Sequence, residues 1–586
     1  MLNLLLTRLR SSRPDHRQRW DGVGEVPDGS QAHRRRWLPR RLALAALPLL
    51  AAAAVAGCGS SADGGGVETT ASKPSRGGTI QYGHLQEPPC LINTWVQTGY
   101  LSRQFLDGLV SVDGKGKFYP WLATSWKVSK DGKTYTFELK PNVKFTDGTP
   151  FDAKAVKANF DAWLDAKRWT YNMYVGYHVA NVLDEVKVTG PLEVEIKLKE
   201  PHDLLSVLSQ YAFGIISPKT LAGSQANGCE KPVGTGGFIV EKWNRGKDVV
   251  LKRNPDYNSA PGNAKHQGPA YVDGVVWKFL KDDTLRYGSL RTGESDVIYE
   301  VPGASWADAK KRYAILQHVT GGVPVRLALE TQNGPFKDVR VRKAFGYASD
   351  RRKAVETVFR GAAPYNGNGA LSAGSPEHVE ALEHAYDHDP AKAAELLDEA
   401  GWTQKNQDGI RVKDGKPLTI RIVYSPGNNV TNDDVQVLQI IQDQAKQVGF
   451  DVQLKPVTQA GLWAGEHHGP GEWDAEPWYW VARTAEILHV IWAPASEFGG
   501  TPNGNNPGGY EDPKTWALIE EADRTVDVKK RTALYQQAQR RIVETDALVL
   551  GLRPLTVNLA VGPKLRDVWL SPAIGEPVFT DAYFAK

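Results

Sequence analysis

Residues 418–454, LTIRIVYSPGNNVTNDDVQVLQIIQDQAKQVGFDVQL, decide the fold class. Leu418 to Tyr424 is an apolar, β-branched run that reads as a strand, and Pro426-Gly427-Asn428-Asn429 reads as a loop. From Asp433 to Val448 the period changes: Val435, Leu438, Ile441 and Ala445 recur at helical spacing, and Gly449 stands where a helix ends in a left-handed residue. Phe450, Val452 and Leu454 then alternate as a second strand. Strand, helix and strand in this order make a βαβ unit, which requires parallel strands and places a ligand-facing edge at the carboxyl end of the first, around Gly427 to Asn429.

The earlier chain follows a two-residue period. Trp126 and Val128 alternate, Asp131-Gly132 marks a turn, and Tyr135, Phe137 and Leu139 alternate again. Asp152 is placed to cap a helix carrying Val156, Phe160 and Trp163 on one face, and a second hairpin bends at Gly190-Pro191 between Val186, Val188 and Val194, Ile196, Leu198. Another helix begins at Asp389-Pro390 and ends at Gly401. Hairpins early and βαβ later predict an α/β architecture of more than one lobe. The chain has 586 residues, 41% hydrophobic and 24% charged, which excludes disordered, collagen-like and coiled-coil classes.

The net charge of +4 is uneven. Residues 1–57 hold ten arginines and four acids, so the remainder is slightly acidic and offers no bulk charge for nucleic acid. Arg34-Arg35-Arg36 and Arg40-Arg41 precede an apolar run from Leu42 to Ala56 that is too short to span a bilayer, and small residues follow it. This predicts export, with 1–57 a signal peptide carrying an N-terminal extension. Val55-Ala56-Gly57-Cys58 resembles the bacterial lipobox, which implies lipidation of Cys58 and a membrane anchor. Residues 58–77 are small and polar, the composition of a flexible tether. Cys90 and Cys229 are then the two remaining thiols, and the export signal favours a disulfide between them over two independent buried thiols.

Three collinear stretches carry a resemblance. They are Pro120-Trp121-Leu122-Ala123-Thr124-Ser125-Trp126 through Asp147-Gly148-Thr149-Pro150-Phe151; Pro232-Val233-Gly234-Thr235-Gly236-Gly237-Phe238 through Asn254-Pro255-Asp256-Tyr257; and Asn333-Gly334-Pro335-Phe336-Lys337-Asp338-Val339-Arg340 through Ala348-Ser349-Asp350-Arg351. In this order the chain resembles the family 5 extracellular solute-binding proteins, the dipeptide and oligopeptide receptors of ABC importers. The resemblance implies a two-lobe periplasmic-binding-protein-like fold (type II) with an extra subdomain in lobe one. Lobe one would take 78–100, 201–318 and 552–586, the inserted subdomain 101–200, and lobe two 319–551. It implies a monomer on the outer face of the cytoplasmic membrane, with a small-molecule solute and an ABC permease as partners.

Five of the 18 tryptophans fall within thirty positions: Trp463, Trp473, Trp478, Trp480 and Trp492. Core burial accounts for some, but on an alternating strand Trp478 and Trp480 share a face and make a flat surface suited to stacking. In peptide-binding members of the family the segment corresponding to Trp480-Val481-Ala482-Arg483 often reads Trp-x-x-Asp, the Asp pairing with a peptide α-amino group. Arg483 reverses that charge, so it either engages a ligand carboxylate or phosphate or pairs with Glu486. The resemblance also places Glu87 and Trp95 in the cleft wall of lobe one. Asn428 and Asn429 offer amides near a helix N-terminus, with a plain turn as the other reading.

No catalytic or metal motif is present in the sequence. His378, His384 and His388 stand in a polar stretch of Glu and Asp, His467-His468 are adjacent in a Gly-rich loop, and Gly234-Thr235-Gly236-Gly237 leads into a strand without the Lys of a phosphate loop. The expectation is a receptor without cofactor for peptide or peptide-like solutes. Oligosaccharides or anionic conjugates are the alternative solutes. An exported polymer hydrolase, which would need two opposed carboxylates at a cleft, is the alternative from another class.

Overall fold

The computed structural model describes residues 73–586 apart from 93–95, 166–178, 180, 181, 499, 501, 502, 507 and 574, so Cys58 and Trp95 lie outside the described residues. Thr419–Tyr424 runs parallel to Asp451–Pro456, and the helix Asn432–Val448 connects them. Its start is fixed by a capping box: the Thr431 hydroxyl accepts from the Asp434 N–H at 3.1 Å, and the Asp434 carboxylate accepts from the Thr431 N–H at 2.9 Å. Its end is fixed by Gly449 at φ 111°, where a Cβ would come within 2.5 Å of the Arg411 side chain.

These strands belong to a five-stranded sheet in the order Asp451–Pro456, Thr419–Tyr424, Ala475–Val481, Gly322–Leu329, Val549–Arg553. A seven-stranded sheet is ordered Ala314–Val319, Thr556–Val561, Val297–Tyr299, Thr79–His84, Gly274–Phe279, Asp248–Arg253, Phe238–Asn244. Its central strand, Thr79–His84, is parallel to both neighbours. The two early hairpins merge into one four-stranded antiparallel sheet, in which Thr134–Leu139 pairs with Glu193–Leu198. The helix Ala153–Leu164, capped by Asp152, buries Val156, Phe160 and Trp163.

Two hydrophobic cores result. One surrounds the five-stranded sheet, with Val323, Val325, Leu327 and Leu329 contributed by a single strand, which is bulged between Val323 and Arg326. The other unites the seven- and four-stranded sheets, from Ile80 and Tyr82 through Phe137, Phe160 and Trp277 to Val557. The chain leaves the seven-stranded sheet after Val319 and returns after Arg553, and each crossing is two residues long. The crossings lie side by side: Thr320 donates to the Leu555 carbonyl through its N–H at 3.0 Å and its hydroxyl at 2.8 Å.

The Pro232–Phe238 segment is close packing. A Cβ on Gly234 would lie 2.0 Å from the Phe105 carbonyl oxygen. Thr235 and Ser259 donate to the buried Asp107 carboxylate at 2.9 and 2.6 Å. Burial raises that carboxyl to a pKa of about 6, against the lowering effect of the Ser259 and Thr235 hydrogen bonds.

Cys90 and Cys229 are bonded across a sequence separation of 139 residues, tying the segment after the first strand to the helix Gln225–Glu230. Closing so long a loop restricts the unfolded chain, a contribution of about 5 kcal/mol in the chain-entropy account. Replacing both cysteines by serine is expected to lower the denaturation midpoint measurably. Urea unfolding followed by tryptophan fluorescence checks this, and an unchanged midpoint contradicts it.

Candidate functional site

The cores meet along a seam, and the end of the Ala475–Val481 strand sits in it. That strand pairs within the five-stranded sheet, yet Val481 is buried in the other core, and the half-buried Tyr479 and Trp480 pack against both. The loop beyond it continues across the seam. Arg483 Nε donates to the Ser206 hydroxyl at 3.4 Å, and its guanidinium lies 5.4 Å from the centre of the Phe118 ring. Among the described residues Arg483 makes no ion pair. Glu486 instead faces His202 Nε2 at 3.5 Å. Gln86 reaches from the seven-stranded sheet to donate to the Gly427 carbonyl at 2.9 Å.

The remaining sequence candidates fall around this seam in different roles. Trp478 is half-buried against Val423, Val457, Leu462 and Trp473. Asn428 donates its N–H to Ser425 at 3.1 Å and accepts from Gln459 at 3.3 Å, while its buried Nδ2 has no partner among the described residues. Asn429 is a strut: it accepts from the Ser425 N–H and donates to the Pro477 carbonyl, both at 2.8 Å, locking the loop to the Trp478 strand. Glu87 accepts from Trp243 Nε1 and the Gly246 N–H, each at 3.0 Å, so its carboxylate fastens the first strand's exit to the hairpin 238–253.

Three polar residues that no motif marks are buried in the sheets: His84, Tyr299 and Arg326. His84 and Tyr299 end two parallel strands with their rings 4.8 Å apart, and Tyr100 lies 6.1 Å from Tyr299. The Tyr299 hydroxyl and His84 Nε2 have no partner among the described residues, and burial holds the imidazole neutral with a pKa of about 3. The third, Arg326, is a lone cation inside the apolar run Val323–Leu329, and that interruption is the signal by which a sequence reading would find it.

At the other end of the seam, beside the crossings, charges are paired. Arg553 makes two hydrogen bonds of 2.7 Å to Asp434, both side chains almost wholly buried. Arg286 donates to the carbonyls of Tyr299 at 2.7 Å and Leu280 at 2.8 Å, and to Asp283 at 2.7 Å. Glu300, with φ 60°, stands between these groups. Burial raises its carboxyl to a pKa of about 7, although Arg286 and Arg553 pull it down. Among the described residues no group of three or more His, Cys, Asp or Glu side chains is placed to hold a metal ion, and no helix is long and apolar enough to cross a membrane.

Residues 117–500 match the family model of the bacterial extracellular solute-binding proteins, family 5 Middle. The glutathione-binding protein GsiB of Salmonella paratyphi A is 29% identical over 490 residues, 81% of this chain and 88% of that one. The nickel-binding periplasmic protein of Escherichia coli K12 is 27% identical over 489 residues, 80% of this chain and 87% of that one. Among solved structures, the oligopeptide-binding protein AppA of Bacillus subtilis, in complex with a nonapeptide, superposes with a TM-score of 0.73 at 24% identity, covering 88% of this chain and 100% of that one. That likeness shows the fold: two-lobed, mixed α/β, of the type II periplasmic binding kind.

Glu300 gives the crossings a pH dependence. Its folded pKa of about 7 exceeds the ordinary 4.5, so between these values the folded chain holds a proton that the unfolded chain has released. Stability from this group is complete below about 4.5 and falls as pH rises to about 7. Glu300→Gln is expected to flatten the decline in melting temperature over that window and to melt above the wild type at pH 8. Calorimetric scans across pH test it, and parallel curves for the two proteins contradict it.

Proposed function

Since the chain belongs to the bacterial extracellular solute-binding proteins of family 5, we propose that it is the extracytoplasmic receptor of an ABC importer, capturing a peptide or peptide-like solute at the seam and presenting it to a membrane permease. The observation that carries this reading is the strand end Tyr479–Val481, which packs against both cores and leads into Arg483 acting across the seam. A solute held there touches both bodies at once. Contacts available only when the bodies meet favour the closed state by their differential free energy, and a shift from 1:99 to 99:1 needs about 5.5 kcal/mol of it. The paired two-residue crossings at 320–321 and 554–555 are the elements that would absorb such a motion.

In this reading 101–200 is the inserted subdomain of lobe one, and the lobe boundaries expected near 318 and 552 fall instead at the crossings 320–321 and 554–555, which leave Val319 with lobe one and Leu552 and Arg553 with lobe two. Cys58 carries the lipid that holds a monomeric receptor to the outer face of the cytoplasmic membrane, with 58–77 as tether. Glu87, Asn429 and the Trp478 side chain support the cleft wall, while Trp480, Arg483 and Asn428 face the solute. No step of this function requires catalysis or a cofactor.

Arg483 favours a second class of solute within the same role. A guanidinium repels a peptide's α-ammonium and attracts carboxylate or phosphate, so anionic conjugates compete with simple peptides for this site. A thermal-shift and calorimetric screen of di- to pentapeptides, maltooligosaccharides and phosphorylated sugars separates them. Peptides are expected to raise the melting temperature. A rise with sugars alone contradicts the peptide reading.

A further inference from the structure

The chain buries several arginines, and most are paired or hydrogen-bonded, although Arg103 Nε and Nη1 and Arg351 Nε are also buried without a hydrogen-bond partner among the described residues. Arg553 holds Asp434, Arg286 holds Asp283 and several carbonyls, Arg411 holds Asp398 and three carbonyls, and Arg342 spends all three nitrogens on backbone oxygens. This pattern is what electrostatics requires, because an uncompensated buried cation costs several kcal/mol.

Arg326 departs from it. The residue is 2% exposed in the middle of the five-stranded sheet, and its single hydrogen bond runs from Nη1 to the Gly369 carbonyl at 3.2 Å. No described carboxylate pairs with it, and burial alone lowers its pKa to about 9, with no charged neighbour offsetting that effect. Nε is buried without a partner, and no described group accepts from Nη2. The vacant edge is therefore Nε with Nη2, the side of a guanidinium whose two parallel N–H groups match the two oxygens of a carboxylate. The guanidinium carbon lies 5.5 Å from the ring centre of Trp492, whose own Nε1 is a second buried donor without a partner among the described residues.

The location connects this edge to the seam. Arg326 stands directly opposite Trp478 in the antiparallel pairing, so the two side chains share a sheet face, and Trp480, two residues on, packs against both cores. Resting on the receptor reading above, we propose that Arg326, with the indole N–H of Trp492, binds a carboxylate of the captured solute, on the sheet face that also carries Trp478 and Trp480. The solute's charge completes an arginine that the fold leaves uncompensated. Arg483 then remains free to act on a different part of the same molecule, across the seam.

Two arms test this on the full chain. In the first, melting temperatures of wild type and Arg326→Met are read in sodium acetate, sodium phosphate and sodium chloride at equal ionic strength. Acetate is expected to raise the wild type by several degrees relative to chloride and to leave Arg326→Met unmoved, while Arg326→Met in chloride melts at or above the wild type because an unpaired charge is gone. Equal responses in both proteins, a response to phosphate without acetate, or a Met variant that melts lower or does not fold, each overturns the proposal. In the second arm, calorimetry compares trialanine with its C-terminal amide. The wild type is expected to prefer the free acid by ~10- to 100-fold, the worth of a charge-assisted hydrogen bond, and Arg326→Lys, which lacks the two-pronged edge, to lose most of that preference. Equal affinity for acid and amide in the wild type contradicts it. If trialanine does not bind at all, the peptide reading of the receptor fails while the acetate arm still decides the anion site.

Discussion

The ion pair between Arg553 and Asp434 is the constraint on which the two-body arrangement rests. Arg553 is the last residue of the five-stranded sheet before the chain crosses back, and Asp434 is the third residue of the helix that crosses over that sheet. One carboxylate thus caps the helix, accepts two guanidinium hydrogen bonds of 2.7 Å, and fixes the strand end from which the crossing departs. The same helix start reaches the other body: Asp433 accepts from the Gly303 N–H at 2.9 Å, and Asn432 donates to Asp283 at 3.0 Å. Negative charge at a helix N-terminus is favourable in itself, and here it is also where the bodies are pinned. Losing either partner would leave the other charged and buried, a penalty of about 3–5 kcal/mol.

Away from the crossings, several of the polar contacts along the seam are weaker. Gln86 to Gly427, Arg483 to Ser206 and Arg524 to Glu200 are single hydrogen bonds or exposed pairs, and none is worth more than about 1–2 kcal/mol. That division, strong at the crossings and weaker in these polar contacts, would suit the closure proposed above. The buried charges follow the same logic. Those at the crossings are paired within the chain, whereas Arg326, beside the aromatic face, is not.

The βαβ unit was legible because its periods are local: a helix of 3.6 from Asp433 with Gly449 at the stop, then the alternation of Phe450, Val452 and Leu454. The hairpins around Asp131-Gly132 and Gly190-Pro191 were legible for the same reason. Their merger into one sheet was not, and neither was the pairing of Thr79–His84 with Gly274–Phe279, since partners 195 residues apart leave no local signature. The site divides along the same line. The alternation of Trp478 and Trp480 and the reversed charge at Arg483 stood out in sequence. The engagement of Glu87 with Trp243, 156 residues away, did not, so its carboxylate looked available when it is already hydrogen-bonded. Arg326 was readable only as an irregularity, one cation in an apolar strand whose meaning depends on what surrounds it in space.

Pinned at one end, the two bodies are proposed to close on a solute. Small-angle X-ray scattering of the full chain, with and without the peptide that most raises its melting temperature, tests it most directly. The saturated protein is expected to have a smaller radius of gyration at unchanged mass. Binding that leaves the scattering curve unaltered would contradict it.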